Sequence, residues 1–93
     1  MASQKAGKPT VSVCIVTYNS AQHIEDCLHA VLRQSFPLAS VVIVDNASTD
    51  DTQEVLSRFG RNIRLIANQQ NNGFAGGQNQ AIAASAPSDY VLV

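Results

Sequence analysis

Three short polar segments, each following an apolar run, hold the side chains that could bind a ligand. The first is Thr17-Tyr18-Asn19 after VSVCIV, the second is DNASTDD at 45–51 after VVIV, and the third is the amide-rich stretch after IRLIA. Carboxylate, hydroxyl and amide groups can exchange hydrogen bonds with the hydroxyl, imide and phosphate groups of a ligand. No serine–histidine–acid order and no metal-ligand spacing accompanies them, so the sequence predicts a binding rim without a general base.

Asp45 is the first candidate because it directly follows the apolar VVIV run. A carboxylate there could accept a hydrogen bond from a nucleobase imide or a ribose hydroxyl, but it could equally cap or turn the chain into the next helix. Position alone leaves both interpretations open. Asp50 and Asp51 lie at the start of a predicted helix, where negative charge complements the helix dipole. Simple first-turn acids are the favoured interpretation of this pair, since a metal site would need a further carboxylate nearby.

The third polar segment contains NNGFAGGQN at 71–79, with three glycines within five positions. Glycine permits a positive φ and a close approach of the backbone to a ligand, and the start of the following helix would offer free N–H groups to an anion. The segment is not GxGxxG and lacks the GK[ST] of a P-loop, so neither dinucleotide nor Walker-type binding is indicated. Tyr18 could stack on a base, although packing over a helix is favoured from the residues alone.

The elements that must position these segments alternate between strand and helix. Apolar, β-branched runs predict strands at 11–17, 41–44, 63–67 and 90–93. Helical spacing and capping residues predict helices from about Ile24 to before Pro37, from the Ser48–Asp50 turn to about Phe59, and over 79–84. The βαβαβαβ order predicts a parallel sheet with right-handed crossovers, and ligands of such sheets lie beyond the carboxyl ends of the strands.

Composition limits the partners that this chain can bind. The 93 residues are 45% hydrophobic and 14% charged with a net charge of −1, which favours a folded segment without a basic patch for nucleic acid or an anionic membrane. The polar composition of residues 1–10 predicts a disordered tail and indicates no signal peptide. No apolar run is long enough to span a membrane. Cys14 and Cys27 are predicted to be small buried hydrophobic residues, which fits a reducing, cytoplasmic compartment.

Three motifs together resemble the family 2 glycosyltransferases with the GT-A fold. VSVCIVTYN at 11–19, VVIVDNASTDDT at 41–52 and NNGFAGGQNQAI at 71–82 occur in the family's order and spacing, followed by DYVLV at 89–93. The pairing of VDNASTDDT with NxGFAGGxN is similar to the bacterial rhamnosyltransferase-like subgroup, which builds cell-surface polysaccharides. The resemblance implies a Rossmann-like α/β fold for nucleotide-diphospho-sugar transfer, with strand order 3-2-1-4. It also implies that residues 11–93 are the N-terminal, nucleotide-sugar-binding part of that domain, which is incomplete here.

The resemblance also implies roles for individual residues in binding a nucleotide sugar. The nucleotide pocket would be lined by Thr17, Tyr18 and Asn19. Asp45 would contact the base, and Ser48 and Asp50 would lie beside it or shape the loop. A loop flanking the nucleotide and the sugar would be formed by Asn72, Gly73, Gly76, Gly77 and Asn79. Asn79 is the side chain of that loop expected to make a polar contact with the ligand.

The resemblance places other parts of the reaction beyond this sequence. It implies inverting transfer of a sugar, with rhamnose as the candidate, from a UDP- or dTDP-linked donor to a polysaccharide or lipid-linked acceptor. It implies a divalent metal, Mg²⁺ or Mn²⁺, held by an acidic motif expected just after Val93, with the catalytic base further on. We therefore expect the 93 residues alone to be inactive and the final strand to expose an apolar edge open to self-association. The full-length protein would be cytoplasmic, at the inner face of the membrane.

Two other interpretations remain open from the residues. One is a non-catalytic nucleotide-binding α/β module that acts with other chains, which would bind a nucleoside diphosphate without transferring a sugar. The other is an α/β fragment whose polar loops only cap helices. In that case, replacing Asp45 would change stability without changing any ligand affinity.

Overall fold

The computed structural model describes residues 9–34 and 37–93, in which four strands and three α-helices alternate. The strands are β1 (Val11–Thr17), β2 (Leu38–Asn46), β3 (Arg64–Asn68) and β4 (Tyr90–Leu92). The helices are α1 (Ala21–Leu32), α2 (Thr52–Ser57) and α3 (Gly73–Ala84), with a short 3-10 turn at Gly60–Asn62. Within these residues, none of the helices has the length and apolar character that crossing a bilayer requires.

The four strands form one parallel sheet in the order β3-β2-β1-β4, which confirms the predicted topology. In the register, Thr17 lies beside Asp45, and Asn46 lies beside Asn68. The carboxyl ends of β1, β2 and β3 therefore meet at one edge of the sheet, which we call the carboxyl rim. The three polar segments singled out in the sequence leave the sheet at this rim.

Helices cover both faces of the sheet because successive side chains of a strand alternate between faces. Helices α1 and α2 pack on the face whose buried core contains Val13, Ile24, Leu28, Val41, Ile43, Val55 and Leu56. Helix α3 packs on the other face, where Ala81 lies among Cys14, Val42 and Val44. The alternation continues at the end of β2, so Asp45 extends the α1–α2 face and Asn46 extends the α3 face.

Helix α3 begins at Gly73, well before the predicted start at Asn79. The prediction that Gly73, Gly76, Gly77 and Asn79 belong to a loop is therefore wrong, because all four are helical, and of the predicted loop residues Asn72 alone precedes the helix. The side-chain oxygen of Asn71 accepts the N–H of Gly73 at 2.8 Å, which satisfies a free donor at the helix start. Gly73 has a φ of 78°, a conformation that favours glycine. The polar, glycine-rich composition thus marks the first turns of a helix.

The glycine at position 77 serves packing of the helix on the sheet. An ideal Cβ built there would lie 2.9 Å from both methyl carbons of Val16, closer than real Cβ atoms approach. At Gly76, by contrast, the nearest atom to such a Cβ is the Cβ of Asn72 at 3.4 Å, an ordinary contact. The missing side chain of Gly77 therefore lets α3 lie directly on β1.

Two other predictions about helices need correction. Cys14 is buried as predicted, but Cys27 is exposed because only Ile24 and Leu28 form the buried stripe of α1. Helix α2 ends at Ser57, before the predicted end at about Phe59, although the Phe59 ring still packs against the core. The chain then passes through Gly60, whose φ of 52° again suits glycine.

The two ends of the described chain lie side by side. Residues 1–8 of the predicted tail lie outside the described part, but the Thr10 carbonyl accepts the N–H of Tyr90 at 3.1 Å. The N–H of Thr10 donates to the Asp89 carboxylate at 2.9 Å, so regular contacts begin before Val11. Strand β4 is an edge strand with exposed apolar side chains, among them Tyr90 and Leu92. Self-association through this edge stays a prediction.

Candidate functional site

Asp45 joins the ends of β1 and β2 at the carboxyl rim. One carboxylate oxygen accepts the hydroxyls of Thr17 at 2.7 Å and Ser48 at 2.6 Å. The other accepts the N–H of Ser48 at 3.1 Å and the side-chain N–H of Gln53 at 2.8 Å. The residue is 0% exposed, so all of this bonding takes place inside the protein. Asp45 therefore holds the loop after β2 against the end of β1.

Opposing effects act on the pKa of Asp45. Burial alone would raise the pKa, but hydrogen bonds from Ser48, Thr17 and Gln53 outweigh it, and the net result is a pKa below the ordinary value. The carboxylate therefore stays ionised at neutral pH. The predicted contact of Asp45 with a base stays a prediction, and making it would require a protein donor to be displaced.

Asn19 connects the β1 end to the loop after β2. It adopts a φ of 48°, a left-handed conformation that asparagine tolerates. Its N–H donates to the Ser48 hydroxyl at 2.8 Å, and its side-chain oxygen accepts the N–H groups of Thr49 at 2.8 Å and Asp50 at 3.3 Å. The two loops are thus held in one arrangement by side chains that the sequence had already singled out.

Asp50 caps two helices at once. Its carboxylate accepts the N–H of Thr52 in α2 at 2.9 Å and the N–H of Ala21 in α1 at 3.3 Å. The hydroxyl of Thr52 donates to the same carboxylate and is the main reason that the pKa of Asp50 is lowered. That hydroxyl also accepts the Ser20 N–H at 2.8 Å. The helix-start interpretation of Asp50 is therefore the one the contacts support.

A second network, built from amides, joins the ends of β2 and β3 to α3. The side-chain N–H of Asn46 donates to the Gly73 carbonyl at 3.0 Å, and its oxygen accepts from Asn68 at 2.9 Å and from the Asn72 N–H at 3.4 Å. Sequence reasoning missed Asn46, Asn68 and Gln80 as rim residues. The alternation of side chains along β2 was the signal that could have placed Asn46 on the α3 face.

The predicted site residues differ in how they are connected to the rim. Thr17, Asp45, Ser48, Asn19 and Asp50 form one continuous network, while Asn72 and Gly73 are connected to the rim through Asn46. Gly76 and Gly77 lie in α3, with Gly77 buried against the sheet. Tyr18 is 51% exposed, and Asn79 is exposed, with no side-chain hydrogen bond to the described residues.

The rim residues do not form a divalent-cation site by themselves. Each carboxylate oxygen of Asp45 accepts two donors of the protein, and the carboxylate of Asp50 accepts donors from Thr52 and Ala21. Across residues 9–34 and 37–93, no group of three or more histidine, cysteine, aspartate or glutamate side chains is placed to hold a metal ion. No chemical step is therefore assigned to a metal held by these residues.

A cavity of about 430 Å³ lies at the opposite end of the sheet. It is lined by residues at the starts of β2 and β3, among them Leu38, Val41 and Arg64, together with Leu32 at the end of α1. None of the predicted site residues contributes to its lining. It therefore supplies a reference region, remote from the carboxyl rim, for control substitutions.

Comparisons with known proteins agree with the motifs at the rim. The model of the glycosyl transferase family 2 matches residues 12–93. The chain is 38% identical over 78 residues to TuaG of Bacillus subtilis, whose name assigns it to teichuronic acid biosynthesis, and covers 31% of that protein with 81% of its own length. It is 31% identical over 85 residues to the O-antigen chain rhamnosyltransferase WbaN of Salmonella anatum, covering 27% of WbaN with 90% of its own length.

Solved structures show the same arrangement of strands and helices. The mannosyltransferase PcManGT of Pyrobaculum calidifontis, in complex with GDP-Man and Mn²⁺, superposes with a TM-score of 0.80 at 32% identity over 91% of this chain and 26% of its own. TarS of Staphylococcus aureus in complex with UDP-GlcNAc gives a TM-score of 0.75 at 30% identity, over 89% of this chain and 25% of its own. The chain thus spans less than a third of these relatives, and it belongs to glycosyl transferase family 2 with the GT-A fold.

Proposed function

We propose that this chain is the donor-binding part of an inverting glycosyltransferase and holds a nucleotide diphosphate sugar at the carboxyl rim. The observation that carries the proposal is the convergence of three polar segments on one edge, where two internal networks fix them. Tyr18, Asn19 and Asn72 remain exposed on that edge and offer an aromatic ring and amide groups to a ligand. Inversion is proposed because the motifs resemble those of inverting family 2 enzymes.

The internal networks favour binding because they order the rim before a ligand arrives. Asp45 and Asn19 fix the two loops through hydrogen bonds within the protein, so little loop ordering is left for the binding step. The proposed role of the exposed Tyr18 ring is to stack on a nucleobase, a contact worth about 1–3 kcal/mol per base. Asn79, on the second turn of α3, is the proposed polar contact with the sugar or the diphosphate.

The proposed donor carries rhamnose, and the proposed acceptor is a polysaccharide or a lipid-linked sugar. The name of WbaN, an O-antigen chain rhamnosyltransferase, supports both proposals, and the name of TuaG supports a cell-surface polymer. Structural relatives bind GDP-Man and UDP-GlcNAc, which supports a nucleotide-linked sugar as the donor class. The whole protein is proposed to act in the cytoplasm, at the inner face of the membrane.

A divalent metal, Mg²⁺ or Mn²⁺, is part of the proposal for the whole protein. The PcManGT complex contains Mn²⁺ together with GDP-Man, which supports this choice. Such an ion offsets the negative charge of the leaving diphosphate. Asp45 and Asp50 are engaged in internal hydrogen bonds, so the proposed role of this chain is to bind and orient the nucleoside.

Calorimetric titration of the purified protein with UDP, dTDP and GDP tests the proposal. We expect saturable binding of at least one nucleoside diphosphate, and Tyr18→Ala should weaken it about tenfold through the loss of stacking. Asn62→Ala is the matched control, because Asn62 is exposed at the remote cavity and should leave the affinity unchanged. Equal affinities for the wild type and Tyr18→Ala, or no binding at millimolar nucleotide, would contradict the proposal.

A transfer assay separates the enzyme from a non-catalytic nucleotide-binding module. The whole protein is incubated with dTDP-rhamnose or UDP-linked sugars, Mn²⁺ and a lipid-linked acceptor, and the released nucleoside diphosphate is measured. Release that depends on the acceptor supports a transferase. Nucleotide binding without release from any of the donors would favour the module instead.

A further inference from the structure

We propose that Asn46 is a positioning residue that fixes the first turn of α3 at the carboxyl rim. Its side chain is 2% exposed and lies on the α3 face of the sheet, opposite to the face that Asp45 extends. It contacts the main chain at Gly73, the first residue of α3, and at Asn72, which directly precedes the helix. The consequence for donor binding rests on the function proposed above, whereas the attachment of α3 does not.

The Asn46 amide uses both of its polar ends. Its N–H donates to the Gly73 carbonyl at 3.0 Å, while its oxygen accepts the N–H of Asn68 at 2.9 Å and the main-chain N–H of Asn72 at 3.4 Å. Only a group with a donor and an acceptor on one planar end meets this demand. A carboxylate of the same shape would keep the acceptor and place a negative oxygen against the Gly73 carbonyl.

Asn68 and Gln80 extend the attachment to the second turn of α3. The two amides exchange hydrogen bonds in both directions, at 2.8 Å and 2.9 Å, and Asn68 also donates to Asn46. Gly77 adds the close approach to Val16 that lets the helix reach these partners. The start of α3 is thus tied to β2 and β3 by amides that stay neutral at every physiological pH.

This attachment determines where Asn72 and Gly73 lie. Both residues are exposed and are hydrogen-bonded through their main chain to Asn46. Their position relative to a bound nucleotide sugar therefore depends on Asn46. Loosening the first turn of α3 would leave the nucleotide contacts on the β1 side intact while removing those on the α3 side. The expected result is weaker donor binding without loss of the fold.

The test is Asn46→Asp, with amide hydrogen exchange and nucleotide affinity measured on the purified whole protein. At pH 8, we expect exchange at positions 77–80, whose N–H groups donate to the carbonyls of the first turn of α3, to be at least tenfold faster than in the wild type at the same pH, and the affinity to fall about tenfold. As the pH is lowered to 5, the buried carboxyl should become protonated and regain a donor for the Gly73 carbonyl. Both ratios to the wild type should then move towards one.

The control is Asn62→Asp, the same chemical change at an exposed asparagine beside the remote cavity, which should leave both readouts unchanged. Asn68→Ala, at a half-buried position, serves if Asn46→Asp does not fold, and it should accelerate exchange at the same positions by a smaller factor.

Exchange within twofold of the wild type in the Asn46 variant would overturn the positioning role. Faster exchange with unchanged affinity would overturn its link to the donor. Absence of nucleotide binding in the wild type counts against the proposed function, while exchange still decides the role of Asn46.

Discussion

The two halves of the carboxyl rim are built from different chemistry, although their central residues are neighbours in the sequence. Asp45 organises the half on the α1–α2 face with an ionised carboxylate, hydroxyls and main-chain N–H groups. Asn46 organises the half on the α3 face with neutral amides. Because strand side chains alternate between faces, one dipeptide serves two layers of the fold.

The two halves of the rim differ in that one buries a charge and the other contains neutral amides. On the Asp45 side, four donors meet a single buried charge, so loss of the charge leaves several groups without a partner. On the Asn46 side, each amide pairs with another amide or with the main chain, so no buried charge takes part in these hydrogen bonds. The first half should therefore respond strongly to substitution and, to a smaller extent, to acid, and the second should respond to changes in shape or donor pattern.

The largest effect is expected for Asp45→Ala. Removing a buried acceptor of four hydrogen bonds should lower the free energy of unfolding by about 3 kcal/mol, because the donors lose a charged partner. Urea unfolding followed by circular dichroism measures this loss. Asp51→Ala is the control, since that carboxylate is exposed and makes no capping hydrogen bond, and its effect should stay within about 0.5 kcal/mol. A larger loss for Asn46→Ala than for Asp45→Ala would reverse the comparison.

Gly77→Ala probes packing on the neutral half. A methyl group there would lie 2.9 Å from the Val16 side chain, and the resulting overpacking should cost about 2 kcal/mol in the same unfolding assay. Gly76→Ala places the identical group at an ordinary 3.4 Å contact in the same helix. It should be neutral or stabilising, because alanine in a helix is more favourable than glycine by about 1 kcal/mol. Equal losses for the two variants would show that the Val16 contact does not limit the approach of α3.

Ala47→Gly should stabilise the protein. Ala47 follows the Asp45–Asn46 pair with a φ of 60°, a conformation in which a Cβ is unfavourable. Relief of this strain, less the entropy of a more flexible unfolded chain, leaves a gain of about 0.5–1 kcal/mol. Ala75→Gly, an exposed helical position, should lose about 1 kcal/mol instead. A loss for Ala47→Gly in thermal unfolding would mean that the turn between the two halves is not strained.

The smallest expected effect is the loss of unfolding free energy at acidic pH. The folded-state pKa of Asp45 lies below its ordinary value of 3.8, so its stabilisation is complete above that value and is lost as the pH falls through the folded pKa. The difference in unfolding free energy between the wild type and Asp45→Asn should therefore shrink as the pH is lowered below about 4. The difference between the wild type and Asn46→Ala should stay constant over the same range. Parallel pH profiles for the two variants would remove the distinction between the halves.

Sequence reasoning predicted the charged half well and the neutral half poorly. The bounds of β1 follow from its apolar run, and the meeting of residues 17–19 with residues 45–50 follows from parallel topology. The strand order was implied by the resemblance to family 2 glycosyltransferases. The start of α3 was misplaced because asparagine and glycine indicate a loop locally, whereas packing against Val16 and the bond to Asn46 favour a helix. Exposure of Cys27 was missed because an apolar residue beside the buried stripe looks like part of it.

The most direct test of the two-sided rim is a titration of the isotope-labelled protein with a nucleoside diphosphate, followed by amide NMR. Saturable shifts are expected on both halves at once, at Tyr18 and Asn19 and at Asn72 and Gly73, with no change at Asn62 beside the remote cavity. Shifts confined to one half, or centred on the remote cavity, would contradict the two-sided rim.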